Sequence, residues 1–415
     1  MKENRTLEFK EDITNTFLKT VSAFSNYGGG SIVFGMRDDG SISGLPNPEK
    51  ACLDIENKIN DTIKPQPDYE LTVQYDKQTV TLTVHGGWET PYMYKAKAYR
   101  RNDTATIEVD KTELTRLILR GRNMHFEQLP AQNQKLTFKT LEKKAVAEIG
   151  IRKLNQDVLR TLDLYSDAEG FNHAAELLAD CNSFPGIDMA LFGESINIIQ
   201  KRVTLEKISL LTALEQAVQL FRDYYQYEVI KGMERLKKER IPEEAFREAL
   251  ANALIHRTWD VHAHIRVLMF ADRVEITSPG GLPNGMTEEE YLRGNVSILR
   301  NPILGNIFYR LHIVEILGTG ILRIREAYRK SSKRPIFEVY DNSIKVVLPV
   351  LDSLDLTADE KLIYDLLSRT TPRSAGEITK AAPFGRSKVI TLIKSLVAKN
   401  CVTVQGNGRG TKYSR

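Results

Sequence analysis

Glu248, Asn252 and His256 recur at intervals of four after Pro242, so a helix there carries all three on one stripe. A carboxylate and a carboxamide one turn apart can orient a water and hold Mg²⁺ beside a phosphate. Glycine turns follow at Ser278-Pro279-Gly280-Gly281 and at Gly318-Thr319-Gly320, and such turns let backbone amides approach phosphates. On spacing alone, a solvated polar stripe explains the first three residues equally well. A second group lies near the end of the chain. Arg386, Ser387, Lys388, Thr391 and Lys394 fall on one side of a helical period whose other side is Val389, Leu392, Ile393, Leu396 and Val397. Cations for phosphates and hydroxyls for base edges are what a helix needs in a major groove. Arg409 and Lys412 flank the glycine turn that follows. His262 and His264 alternate on a strand near His256, but with no cysteine close by a zinc set stays incomplete.

The elements that must hold these residues are legible from periodicity. Ile13–Ser25 has helical spacing, and Ser31–Met36 is a short apolar strand. Leu71–Tyr75 and Thr79–Val84 form a hairpin. Tyr92–Tyr99 alternates as one strand with Lys95 and Lys97 on one face, and Thr112–Leu119 closes the region as a helix. Polar residues between 126 and 140 mark a linker. Leu211–Tyr225 is one long amphipathic helix, and Pro242 stands where an N1 proline opens the next. Ile265–Phe270, Arg273–Ile276 and Ile344–Val350 are strands. Helices at Leu356–Leu367, Ser374–Ala381 and Arg386–Lys399, then a hairpin around Gly406–Gly410, describe a winged helix-turn-helix. The expected division is 1–125, 126–350 and 355–415, an α+β multidomain chain.

With 415 residues, several domains are expected. The 41% hydrophobic and 27% charged composition is that of a folded soluble chain. No stretch approaches a membrane span, no secretory leader is evident, and three scattered cysteines argue against a disulfide framework. A cytoplasmic protein with no membrane partner is expected. Its charge is uneven. Residues 355–415 hold 11 Lys/Arg against 5 Asp/Glu, leaving 47 basic and 49 acidic residues elsewhere. A basic end-segment on a near-neutral body suits a nucleic-acid-binding appendage.

Three resemblances sharpen these readings. EAFREALANALIHRTWD, VEITSPGGLP and EILGTGILRI resemble the divergent ATPase domain of the gyrase–Hsp90–histidine kinase–MutL superfamily, as found in RecG-like proteins and transcriptional regulators. That resemblance implies a Bergerat-like α/β sandwich. It makes Glu248 the water-activating carboxylate, Asn252 the magnesium ligand, and Gly280, Gly281, Gly318 and Gly320 the nucleotide-facing turns. Where the superfamily reads the adenine amino group with an aspartate, this chain has Ser278, which lacks the charge; weak or absent ATP binding is therefore expected.

ENRTLEFKE and VSAFSNYGGGSIVFGMRDDGSISGL resemble the Schlafen AlbA-type domain, a mixed α/β fold. In nuclease members of that family two glutamates five apart and a later aspartate bind a divalent metal and cut RNA. The motif places them at Glu3, Glu8 and Asp38, with Mg²⁺ or Mn²⁺ as the implied cofactor. Lys10 is then a phosphate contact, and Lys95, Lys97, Arg100 and Arg101 a phosphate track. The order of the three units, ending in a winged helix, is that of bacterial multidomain regulators. The sequence is thus read as a nucleic-acid-binding protein, DNA before RNA, acting as a homodimeric transcriptional regulator with a ligand- or nucleotide-sensing middle. A metal-dependent endoribonuclease and an ATPase are the alternatives.

Overall fold

The computed structural model describes residues 2–231, 234–283, 285–294, 298–315, 318–329, 331–351, 356–368, 371–399, 401–406 and 408–414. The chain divides into two compact units, Met1–Leu129 and Pro130–Arg415. Three segments were expected; the last groups with the middle one, although it keeps an apolar cluster of its own. Among the described residues no helix is long and apolar enough to cross a membrane.

The first unit runs β1 (Leu7–Lys10), α1 (Phe17–Asn26), β2 (Gly30–Phe34), α2 (Pro48–Thr62), β3 (Ile63–Lys64), β4 (Tyr69–Gln74), β5 (Thr79–Val84), β6 (Met93–Tyr94), β7 (Tyr99–Asn102), β8 (Ala105–Glu108) and α3 (Lys111–Gly121). One sheet has the order β1-β2-β5-β4, with β1 parallel to β2 and the other neighbours antiparallel. Its apolar face meets Phe17, Val21 and Phe24 of α1. The chain leaves α1 through Gly28 and Gly29, both at positive φ. A Cβ on Gly29 would come 2.7 Å from the Val84 carbonyl oxygen, so only glycine lets the turn lie against β5. The α2 helix starts where Asn47 accepts from the Lys50 amide with proline at the first position.

The expected single strand Tyr92–Tyr99 is corrected. The chain reverses after β6 at Lys95 and Ala96, with φ of 50° and 60°. Two consecutive left-handed residues make a tight hairpin turn, so Lys95 and Lys97 do not share a strand face.

The second unit runs α4 (Lys139–Glu148), α5 (Gln156–Thr161), β9 (Tyr165–Ser166), β10 (Gly170–Phe171), α6 (His173–Leu178), β11 (Ile187–Phe192), β12 (Ile199–Leu205), α7 (Leu210–Tyr225), β13 (Gln226–Lys231), β14 (Glu234–Glu239), α8 (Glu243–His256), β15 (Ile265–Met269), β16 (Arg273–Pro279), α9 (Glu288–Arg293), α10 (Pro302–Arg310), α11 (Gly320–Ala327), β17 (Ile336–Tyr340) and β18 (Ser343–Pro349). Its main sheet has the order β12-β11-β15-β16-β18-β17, antiparallel except where β11 meets β15. Helices α7 and α8 pack together through Phe221 stacked on Phe246, ring centroids 4.1 Å apart. Pro242 caps α8 one position before its first helical residue. The β13–β14 ribbon was not foreseen.

The end of the chain adds α12 (Ala358–Leu366), β19 (Arg373–Ser374), α13 (Ala375–Ala381), α14 (Arg386–Ala398), β20 (Thr403–Gln405) and β21 (Lys412–Ser414). The three strands form a small antiparallel sheet with β21 in the middle. Ile363, Ile378, Val389, Ile393 and Leu396 make its core. Buried Glu360 ties α12 to α14: it accepts from Ser395 Oγ at 2.5 Å, from Lys399 Nζ at 2.7 Å and from the Thr357 amide at 2.7 Å. Those donors hold its carboxyl well below the ordinary range, down to about 2.

Candidate functional site

In the first unit the expected carboxylate triad does not assemble. Glu8 lies on β1 between Leu7 and Phe9, and Phe9 enters the core as the alternation requires. Glu8 points the other way but is covered as well, at 6% exposure. Arg101 of β7 covers it, its Nη1 2.5 Å from Glu8 Oε2. The other oxygen, Oε1, lies 2.5 Å from Lys10 Nζ. Glu3 is bound locally, its Oε1 accepting from the Phe9 amide at 2.7 Å. Asp38 is exposed on the turn after β2. Among the described residues no group of three or more His, Cys, Asp or Glu is placed to hold a metal ion. The donor set does not fit a divalent cation, because two side-chain cations already occupy Glu8. The same holds for the histidine idea: His264 Nε2 lies 2.8 Å from Glu206.

The expected phosphate track is also revised. Arg101 is buried; besides Glu8 it donates to the carbonyls of Asn4 and Leu7 and to Thr106. A guanidinium enclosed this way holds the first strand and cannot meet a phosphate. Lys97 pairs with Glu108 at 2.7 Å and Arg100 with Glu113 at 3.4 Å. Lys95 is exposed on the hairpin turn, its ammonium 5.4 Å from the Tyr94 ring centre. Sequence reasoning missed Trp88, which is 87% exposed. It follows Gly86 and Gly87, and a Cβ on Gly86 would come 2.8 Å from Gly28. So wide an exposure for the largest side chain was not readable from its neighbours in sequence.

In the second unit the structure does bring the singled-out residues together. Glu248, Asn252 and His256 of α8, Ser278, Gly280 and Gly281 at the end of β16, and Gly318 and Gly320 at the start of α11 all line one cleft. Its inner wall is apolar, made by Ile276, Ile344 and Val346 among others. Asn252 Nδ2 donates to Glu248 Oε1 at 3.1 Å, which leaves the carboxamide oxygen and the second carboxylate oxygen for other work. Burial pushes the Glu248 carboxyl above its ordinary range, a tendency that suits a group meant to take up a proton. Desolvation and the nearby Arg300 hold His256 neutral, down to about 4. A Cβ on Gly320 would come 2.5 Å from Glu248 Oε1 and 2.7 Å from Asn252 Nδ2, so α11 begins directly on this pair. Gly280 has φ of +103°, and Arg300 braces its turn by donating to Thr258 Oγ1 and the Gly281 carbonyl. Ser278 is buried and its hydroxyl donates back to the Ala253 carbonyl of α8 at 3.0 Å. These residues therefore share one cleft, and at Ser278 it presents a hydroxyl whose proton is already committed.

On α14, Arg386, Ser387, Lys388, Thr391 and Lys394 are all exposed and Val389, Ile393 and Leu396 are buried. Lys388 lies 2.7 Å from Asp359 and over the Phe384 ring. Thr391 donates to the Ser387 carbonyl. Lys412 is exposed on β21, while the side chain of Arg409 lies outside the described residues.

Residues 3–110 match the family model "Schlafen, AlbA_2", and residues 262–348 match "Putative ATP-dependent DNA helicase recG C-terminal". The chain joins an AlbA_2-like region to a RecG-like region. The RecG-like match takes in β15 to β18 and the glycine turns; Glu248 and Asn252 precede it. No curated protein matches the sequence. Among solved structures, the DIP2311 protein from Corynebacterium diphtheriae is similar at a TM-score of 0.51 and 18% identity, over 99% of this chain and 92% of that one. That likeness concerns the fold, a mixed α/β multidomain architecture. The N-terminal domain of a "Putative ATP-dependent DNA Helicase RecG-related Protein" from Nitrosomonas europaea matches 26% of this chain and 79% of its own at 20% identity. Its TM-score of 0.19 is too low to bear on the fold.

Proposed function

We propose that the chain is a cytoplasmic DNA-binding regulator whose α13–α14 pair is the helix-turn-helix of a winged unit. The exposed basic and hydroxyl face of α14 carries this reading. Its cations project from a helix whose opposite side is buried, the arrangement that lays one helix into a major groove. The hairpin β20–β21 stands as the wing and presents Lys412. The match to a family described as a DNA helicase agrees in theme. The cleft between α8, β16 and α11 is the sensing site, fitted to a phosphate-bearing ligand by its glycine turns. Ser278 in place of a carboxylate removes a charge-assisted hydrogen bond worth roughly 1.5–3 kcal/mol, so ATP is a weak ligand there. Glu248 and Asn252 would hold and polarise what binds; an ion and its phosphates, when present, would supply the electrophilic centre.

Titration with duplex DNA over a range of salt tests the reading. Arg386→Ala with Lys394→Ala should lower the slope of log K against log salt by about two, with thermal stability unchanged. An unaltered affinity and slope in this double variant would overturn it.

A further inference from the structure

No other strand extends the β13–β14 ribbon among the described residues. A lone two-stranded ribbon is marginal in water, and open edges with exposed apolar residues invite a neighbour. The register sorts its residues into two faces: Tyr227 opposes Lys238, Val229 opposes Leu236, and Lys231 opposes Glu234 on the same face toward the tip. The other face carries Glu228, Lys237, Ile230 and Arg235. The first face carries three apolar residues, with Tyr227 and Leu236 47% and 40% exposed and Glu234 and Lys238 exposed beside them. The second has Ile230 alone, 72% exposed, beside Arg235, which lies 3.7 Å from Glu228.

We propose that the Tyr227/Val229/Leu236 face is where a second copy of this chain docks, about a two-fold axis running across the strands through Val229 and Leu236. In an isologous contact a patch must complement itself. This axis lays Val229 and Leu236 against their own copies and reverses the ribbon end to end. Lys238, two residues to one side of Leu236, then meets Glu234, two residues to the other side, of the second copy. The pairing occurs twice, once in each direction. An apolar centre with opposite charges at equal distances is a self-complementary pattern. It is a poor match for a polyanion, since Glu228, Glu234 and Glu239 are interspersed among Lys231, Arg235, Lys237 and Lys238 along the ribbon.

Two six-residue strands bury less than the roughly 1,200–2,000 Å² of a stable interface, so the dimer forms at high protein concentration and dissociates on dilution. Sedimentation velocity of the full chain over a concentration series reads this directly. Glu234→Lys and Lys238→Glu should each weaken association about tenfold, and the two together should restore it. Leu236→Asp should leave a monomer throughout. All three positions are exposed, so folding is not at stake, and an unchanged circular dichroism spectrum checks that. A wild-type chain that stays monomeric, a double variant no better than the singles, or an intact Leu236→Asp dimer would overturn the proposal. DNA binding by the monomeric variants is a separate readout, so failure here leaves the DNA-binding reading where it stands, and the reverse.

Discussion

The N-terminal motif and the C-terminal helix offer the same residue types and use them oppositely. Around β1 the charges answer one another: Glu8 is enclosed by Arg101 and Lys10, Lys97 faces Glu108, and Arg100 faces Glu113. Along α14 the cations stand in solvent, and among the described residues only Lys388 meets a carboxylate. A charge that has a buried partner is part of the fold, whereas one without a partner can wait for a ligand. Burial and pairing separate the two, and neither is visible in residue type.

This contrast can be broken most forcefully at Arg101. Arg101→Met leaves Glu8 buried with half of its compensation gone. Breaking a buried pair from one side costs roughly 3–5 kcal/mol, and urea denaturation of the full chain should show a loss of that size. If Arg101 instead served nucleic acid, stability would hold and only affinity would fall.

A smaller effect, and one that depends on pH, is expected at Glu360. Its folded carboxyl titrates near 2 against an ordinary 4.5, so its ionised form favours the folded state at and above pH 4.5. That contribution is lost as pH falls from about 4.5 toward about 2. Glu360→Gln should melt below the wild type at pH 7, and the gap should close across that window in calorimetric scans. A gap that is constant with pH would assign the effect to packing alone.

The mildest change sharpens the other side of the comparison. Asp359→Asn removes the carboxylate held by Lys388 and frees that cation for a phosphate. An exposed pair is worth about 0.2–1 kcal/mol, so DNA affinity at low salt should rise by less than about fivefold. A fall in affinity would mean that Asp359 positions Lys388 and does not compete for it.

The sequence was most legible where periodicity and burial coincide. The α7 and α14 helices, the β4–β5 hairpin and β18 fall within a residue or two of their expected bounds, because each has a continuous apolar face. The residues of the cleft were singled out too: Glu248, Asn252 and the glycine turns, grouped by the resemblance, line one cleft. What failed depended on contacts between distant residues. Glu3, Glu8 and Asp38 were grouped by motif, and nothing local announced that Arg101 would take Glu8 first. The Tyr92–Tyr99 alternation hid a turn, since lysine and alanine give no sign of left-handed backbone. The β14 strand was missed because Glu234-Arg235-Leu236-Lys237-Lys238-Glu239 is poor in the branched and aromatic residues that mark strands.

The partnership of Glu8 with Arg101 spans 93 positions of the chain. During synthesis the first strand emerges long before the guanidinium that neutralises its carboxylate. Until β7 has left the ribosome, seating β1 would enclose a charge with only Lys10 beside it. The N-terminal unit therefore cannot finish folding in vectorial order: its first strand settles among the last, and a nascent chain stopped before residue 101 should leave that strand open to a protease.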